Sequence, residues 1–207
     1  MEQIEQAKPY NPHSYRAFLK EFLAHPRSTA AIAPSSRKLA RRMVEGIDFS
    51  KISSMIEFGP GTGVFTSQVA RSIRETDGSH CRFIAIELND RMAANLNTVM
   101  PDVDVRHNDA RKVASICNDE GIEQVDYIIS GLGWPSIPAQ IRDEILEQTH
   151  AVLREGGQFR TFGYHIGLTL PGAWGFRKTV RKLFRTVEIS PVIWGNLPPA
   201  FVYTCTK

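Results

Sequence analysis

The sequence predicts an α/β protein whose sheet is mostly parallel and ends in an antiparallel hairpin. Between residues 52 and 164, apolar strand-like runs alternate with amphipathic helical patterns, which is the order of repeated β-α units. A glycine-rich turn follows the first of these strands and leads directly into a helix. The last two predicted strands, 187–194 and 200–206, are separated by so short a link that they can only be antiparallel neighbours.

Length and composition fit one domain with a well-buried core. The chain has 207 residues, of which 42% are hydrophobic. Its three cysteines, Cys81, Cys117 and Cys205, are scattered, which argues against a disulfide framework or a zinc site and indicates a reducing compartment. No apolar stretch reaches the roughly 18 residues of a membrane span, and the acidic N-terminus does not resemble a signal peptide. We therefore expect a cytoplasmic protein, with peripheral attachment to the inner face of the membrane as an option.

Two helices are predicted ahead of the first strand. Residues 12–25 have a proline at the first helical position and apolar residues at helical spacing, which predicts an amphipathic helix. Ser35 and Ser36 can cap a second helix. We expect residues 1–46 to form a helical extension that covers the ligand or contacts a membrane, in front of a ligand-binding domain at 47–207.

The first strand ends in a pattern that indicates a ligand. E-x-G-x-G-x-G begins at Glu57 and places glycines at Gly59, Gly61 and Gly63, where the backbone can take positive φ and a ligand can approach the main chain. The dinucleotide fingerprint would need a glycine at Val64, and the phosphate-binding G-x-x-x-x-G-K-[ST] has no match. An acid at the strand end suits a ligand with an ammonium group, which describes S-adenosylmethionine better than a pyrophosphate. A purely structural turn is the alternative.

Two further predicted strands are followed by acids. Glu87 ends the second strand, where doubly wound folds place a carboxylate on ribose hydroxyls, and Asp109 follows the third, where a short acid can accept from an adenine amine. Each acid alone is more often a helix cap, but three acids at successive strand ends favour a cofactor site. The other predicted cofactor-binding residues are Leu88, Ala110, Ser130, Tyr15, Ser35 and Ser36.

Three candidate catalytic residues follow the fourth and fifth strands, because ligands of open α/β sheets lie outside the carboxyl ends of the strands. Trp134, in the loop after the fourth strand, can form an apolar wall of the acceptor pocket. Tyr164 and His165, at the end of the fifth strand, can accept or relay a proton. For all three, simple packing is the alternative, and no metal ligands are expected.

Residues 173–185 contain five basic residues, no acid and an apolar set that includes one tryptophan and two phenylalanines. This composition is typical of a helix that lies on an anionic lipid surface. An ordinary helix that covers the sheet, with its long basic side chains reaching into solvent, is the alternative.

Five β-α units followed by an antiparallel hairpin resemble the seven-stranded sheet of the class I, Rossmann-like methyltransferases. The segments Pro34-Ser-Ser36, Glu57 to Gly63, Ile86-Glu-Leu-Asn89 and Trp194-Gly-Asn-Leu-Pro-Pro-Ala200 further resemble the bacterial soluble-type phospholipid N-methyltransferases, which are related to the rRNA adenine dimethyltransferases. This resemblance implies methylation of the amine of phosphatidylethanolamine or a similar aminolipid, with the first helix helping to bind the membrane. The loop Ser130-Gly-Leu-Gly-Trp-Pro135 departs from the family pattern. It lacks the Asn that the adenine dimethyltransferases have in this loop, which argues against a flipped adenine as the acceptor.

Three functions therefore stay open. The first is an aminolipid methyltransferase at an anionic membrane surface, contacted through 12–25 and 173–185. The second is a methyltransferase of a soluble metabolite amine, which the altered loop favours. The third is a non-catalytic S-adenosylmethionine-binding or RNA-associated protein, and an RNA adenine methyltransferase-like protein is a related alternative. Nucleic acid is the least favoured partner, because the net charge is only +3 and the basic residues cluster on one helix beside aromatic residues.

Overall fold

A computed structural model of the chain describes residues 36–207 except 77 and 79. The predicted helix 12–25, with Tyr15, and the predicted cap Ser35 lie outside these residues. The strands are β1 (Ser54–Phe58), β2 (Arg82–Glu87), β3 (Asp104–His107), β4 (Val125–Ser130), β5 (Leu153–Tyr164), β6 (Thr186–Ile189) and β7 (Ala200–Thr206). The helices are α1 (Arg37–Val44), α2 (Val64–Glu75), α3 (Asp90–Val99), α4 (Val113–Asp119), α5 (Ala139–Val152) and α6 (Pro171–Leu183).

The seven strands form one sheet in the order β3-β2-β1-β4-β5-β7-β6. Strands β1 to β5 are parallel, whereas β7 is antiparallel to both β5 and β6. The predicted mostly parallel sheet with an antiparallel end is therefore confirmed. Every residue of β1 is buried, which explains why its sequence is apolar without alternation.

The predicted strand 187–194 is too long, because the observed strand β6 ends at Ile189. Pairing of β6 with β7 ends at Ile189, and only an isolated bridge between Ile193 and Ala200 follows. Pro191 has no N–H for the ladder, and the hydroxyl of Ser190 accepts the Val202 N–H at 3.0 Å, in place of a strand carbonyl. The connection between the last two strands is consequently longer than the sequence indicated, and β6 lies at the edge of the sheet.

Helix α1 packs against the sheet and contributes side chains to the hydrophobic core. Its buried side consists of Leu39, Ala40, Met43 and Val44, which recur at helical spacing. The hydroxyl of Ser36 caps the helix by accepting the Leu39 N–H at 3.2 Å. At the other end, Arg160 of β5 donates to the carbonyls of Met43 and Glu45 at 3.2 and 2.7 Å, which satisfies carbonyls that a helix end leaves without partners.

The start of α1 is joined to the connection before β7. The Ser36 N–H donates to Oδ1 of Asn196 at 2.9 Å, and Nδ2 of Asn196 donates to the Pro198 carbonyl at 2.7 Å. Asn196 is 2% exposed. Two sequence motifs that are 160 residues apart therefore meet at the edge of the sheet where β1 to β5 end, which we call the C-terminal edge.

Candidate functional site

The glycine turn after β1 has the predicted left-handed backbone, with φ of 63° at Gly59, 56° at Gly61 and 80° at Gly63. A Cβ on Gly59 would lie 2.6 Å from Cδ2 of Leu132, and a Cβ on Gly63 would lie 2.6 Å from Cε of Met100. A Cβ on Gly61 would meet only a backbone oxygen at 4.0 Å. Gly61 is therefore the position where a ligand can reach the main chain, whereas the other two glycines make room for protein side chains.

Glu87 lies beside this turn. One carboxylate oxygen accepts the Gly61 N–H at 3.1 Å and the other accepts the Asn89 N–H at 2.9 Å. Burial raises the pKa of Glu87, and these backbone N–H groups oppose the rise. A carboxylate offers about four acceptor positions, and two of them are used here. The remaining two suit the pair of hydroxyls on a ribose.

Glu57 is a fully buried acid, 0% exposed, beneath the glycine turn. Within the described part of the chain, no group completes a hydrogen bond to either of its carboxyl oxygens. Burial raises the pKa of Glu57 to about 8, although the nearby hydroxyl and N–H of Thr66 lower it in part. Buried polar groups normally have partners, so this carboxyl is a fitting counterpart for a ligand that carries an ammonium group.

We expect Glu57 to make the stability of the folded protein depend on pH. The unfolded chain loses this proton near pH 4.5, whereas the folded protein keeps it up to a pKa of about 8. Between these values the folded state binds more protons, so the free energy of unfolding falls as the pH rises, by at most about 1.4 kcal/mol per pH unit. Thermal unfolding of Glu57→Gln between pH 5 and 8 should show a smaller fall in Tm than the wild type shows.

The matched control is Glu188→Gln, which removes one carboxyl from the exposed side of β6. It should retain the wild-type dependence on pH. Equal slopes for Glu57→Gln and the wild type would contradict a buried, protonated Glu57.

Asp109 caps the short helical turn that begins at Ala110. Its Oδ1 accepts the Arg111 N–H at 2.9 Å, and its Oδ2 accepts from Nε and Nη2 of Arg111 at 3.0 and 2.6 Å. The capping role that the sequence left open is therefore present. About one acceptor position remains, so recognition of an adenine amine by Asp109 stays a prediction. Half-buried Ala110 and Leu88 lie at the same strand ends, as predicted from their place in the sequence.

The loop after β4 packs directly on the glycine turn. The Gly131 N–H donates to the Phe58 carbonyl at 2.8 Å, and a Cβ on Gly131 would lie 2.5 Å from the Gly59 carbonyl oxygen. Ser130 is fully buried, and its hydroxyl accepts the Leu132 N–H at 3.2 Å. The glycines of this loop predicted a close approach, which the contact of Gly131 with the glycine turn matches, whereas neither Gly131 nor Leu132 was among the predicted site residues.

Trp134 is a core residue, which corrects the expectation that its indole forms a wall of the acceptor pocket. It is 1% exposed, and its Nε1 donates to the hydroxyl of Thr161 at 2.9 Å. Its ring centroid lies 5.2 Å from that of Phe176 and 5.7 Å from that of Phe159. The packing alternative therefore describes Trp134, which fills the space between β5 and α6.

Tyr164 and His165 do lie at the C-terminal edge. Burial raises the pKa of Tyr164 to about 12, so its hydroxyl keeps its proton near neutral pH and is unsuited to act as a base. His165 is exposed, and its ring centroid lies 5.7 Å from that of Trp194. Of the three predicted catalytic residues, His165 is the one with an accessible proton-accepting group, and this role stays a prediction.

Comparison with known proteins agrees with this geometry. The sequence is 31% identical to an ornithine lipid N-methyltransferase from Singulisphaera acidiphila, over 91% of this chain and 93% of that protein. No family model matches the sequence. Among the solved structures that share the fold are two that contain S-adenosylhomocysteine, the demethylated form of S-adenosylmethionine.

The first is an O-methyltransferase from Bacillus cereus, with a TM-score of 0.66 and 17% identity over 98% of this chain and 94% of that one. The second is the N-methyltransferase NodS from Bradyrhizobium japonicum WM9, with a TM-score of 0.62 and 13% identity over 94% of this chain and 98% of that one. The predicted class I methyltransferase fold is confirmed.

Proposed function

Because this chain belongs to the family of bacterial aminolipid N-methyltransferases, we propose that it methylates the amine of a membrane aminolipid, with ornithine lipid as the first acceptor to test. The observation that carries this proposal is the identity to an ornithine lipid N-methyltransferase over nearly the full length of both chains. The predicted membership in a family of bacterial N-methyltransferases that act on aminolipids is thereby confirmed. Phosphatidylethanolamine, the acceptor that the resemblance implied, stays a prediction.

The residues at the ends of β1 and β2 fit S-adenosylmethionine, which supplies a methyl group on a positively charged sulfur when it is bound. Glu87 would hold the ribose hydroxyls with its two unused acceptor positions. Glu57 would face the ammonium end, which gives its buried carboxyl a partner. The open space at Gly61 lets the cofactor approach the main chain.

Positioning the acceptor beside the donor accounts for most of the catalysis that we propose. Holding two reactants in the correct geometry contributes up to roughly 7–11 kcal/mol, and a methyl transfer needs little other assistance. The amine must first lose its proton, because only its neutral form has a lone pair. His165 is our candidate for accepting that proton, since Tyr164 keeps its own.

A peripheral position on an anionic membrane is part of the proposal. Helix α6 buries Ala173, Phe176 and Val180 against the sheet, while Lys178 and Arg181 on its outer side are exposed. The inner side of this helix therefore covers the sheet, and its exposed basic side supports the proposed contact with an anionic membrane. In the part of the chain that the structure describes, every helix is too short or too polar to cross a bilayer. The predicted helix 12–25 would be a second membrane contact.

Transfer of a radiolabelled methyl group should identify the acceptor. We expect purified protein with labelled S-adenosylmethionine to place label in the organic phase when ornithine lipid is supplied, and less label when phosphatidylethanolamine replaces it. Free ornithine is the matched soluble control, and it should leave the aqueous phase at background.

Label that appears only in the aqueous phase of a cell extract would contradict the proposal and favour a soluble metabolite as acceptor. The altered loop after β4 was the argument for such an acceptor. Packing explains the unusual residues of this loop, because Gly131 contacts the glycine turn and Trp134 fills the core.

A further inference from the structure

The large apolar side chains that are exposed to solvent cluster in one part of the molecule. The described residues contain seven of them, and five lie at the C-terminal edge, four in connections and one in the first turn of α6. These five, which we call the apolar rim, are Ile166, Leu170, Trp174, Trp194 and Leu197. Trp194 and Leu197 are 72% and 78% exposed, which is far more than a packed loop requires.

The topology brings the members of the apolar rim to one region. Three of them lie between the end of β5 and the first turn of α6, and two precede β7. Tyr164, the last residue of β5, pairs with Ala200, the first residue of β7, so both connections leave the sheet at the same point. The His165 N–H donates to the Pro199 carbonyl at 2.9 Å, and the rings of His165 and Trp194 are in contact.

Trp174 connects the apolar rim to helix α6. Its indole Nε1 donates to the Leu168 carbonyl at 2.9 Å, while the ring remains 64% exposed. An aromatic ring with a satisfied N–H and an open apolar face is the type of side chain that is enriched at membrane–water interfaces.

Basic residues continue the same surface. Trp174 lines one open groove with four cations of the same helix, Arg177, Lys178, Arg181 and Lys182. Helix α6 contains no acidic residue that would neutralise them within the helix. An apolar edge followed by a cationic face is complementary to an anionic lipid bilayer, which offers an apolar interior beneath negative headgroups.

We infer that the apolar rim inserts into the interface of an anionic bilayer while the basic face of α6 lies on the headgroups. This inference rests on the proposed aminolipid function and names the surface that carries it. Insertion at this place would open the C-terminal edge toward the membrane, beside the strand ends that hold the cofactor. A lipid amine would then reach the site without the lipid leaving the bilayer.

Vesicle binding by a rim variant tests the inference. We expect Trp194→Ala combined with Leu197→Ser to bind vesicles of phosphatidylcholine and phosphatidylglycerol at least about tenfold more weakly than the wild type in a sedimentation assay. The matched control is Val99→Ser, because Val99 is 60% exposed but ends α3, which connects β2 to β3 and is separated from β5 and β7 by β1 and β4 in the strand order. Calorimetric affinity for S-adenosylhomocysteine should be unchanged in both variants, which shows that both are folded.

Fluorescence reports insertion directly. Lipids brominated in the acyl chain should quench the exposed Trp174 and Trp194, whereas Trp134 is buried in the core. Wild-type vesicle binding without quenching, or equal vesicle binding by the rim variant, would overturn the inference.

The two proposals can fail separately. Methylation of ornithine lipid in detergent micelles by a protein that never binds vesicles would overturn the apolar rim as a membrane surface and leave the proposed function standing. Quenched, rim-dependent vesicle binding without methylation of any lipid would support the membrane surface and refute the acceptor.

Discussion

Glu87→Ala is expected to weaken the binding of S-adenosylmethionine and S-adenosylhomocysteine by at least about 100-fold. A hydrogen bond to a charged group contributes about 1.5–3 kcal/mol, and the proposed ribose contact would contain two. The substitution also removes the acceptor of the Gly61 N–H, which orients the glycine turn. Titration calorimetry on the purified variant measures the loss directly.

Two further variants separate binding from folding. Glu155→Ala removes an exposed acid near the start of β5, at the strand end away from the C-terminal edge, and should bind the cofactor as the wild type does. Glu87→Gln retains an acceptor but loses the charge, so its affinity should lie between those of the wild type and Glu87→Ala. Full affinity in Glu87→Ala would refute the cofactor site, whatever the lipid assays show.

Gly131→Ala is expected to disturb both folding and cofactor binding. The new Cβ would lie 2.5 Å from the Gly59 carbonyl oxygen, and both groups belong to backbone that cannot rotate away like a side chain. Forcing extra volume into a packed site costs about 1–3 kcal/mol. Denaturant unfolding should show that loss, and the displaced glycine turn should weaken the binding of S-adenosylhomocysteine by about tenfold or more.

The control for this prediction is Gly167→Ala, in a connection at the same edge. Its Cβ would meet Cδ1 of Leu170 at 3.8 Å, an ordinary contact, so its stability should stay within about 0.5 kcal/mol of the wild type. A Gly131→Ala protein as stable and as tightly binding as this control would show that the contact between the β4 loop and the glycine turn is readily adjusted.

The parts of the site that were predictable are those encoded within a few residues. The glycine turn, Glu57 and Glu87 follow from a strand that ends in an acid and from glycines that permit a left-handed backbone. The parallel order of β1 to β5 follows in the same way, because each strand and its helix form a local unit.

The parts that were missed depend on residues that are distant in sequence. Trp134 is buried because Phe176 of a later helix covers it, which no local pattern reveals. The contact of Ser36 with Asn196 joins two motifs that could be recognised separately but not placed together. The exposure of Trp194 also required the structure, because the sequence placed this residue at the end of the predicted strand 187–194.

The strand order separates two tasks along one edge of the sheet. The residues that we propose for the methyl donor lie at or just after the ends of β1, β2 and β3, whereas the apolar rim comes from the connections around β5 and β7 and the first turn of α6, on the other side of β4. Under the proposed function, we expect substitutions in the second group to change how the acceptor is presented while the affinity for the methyl donor stays constant. Protein engineers who seek a new acceptor would then vary these short segments and leave the donor site unchanged.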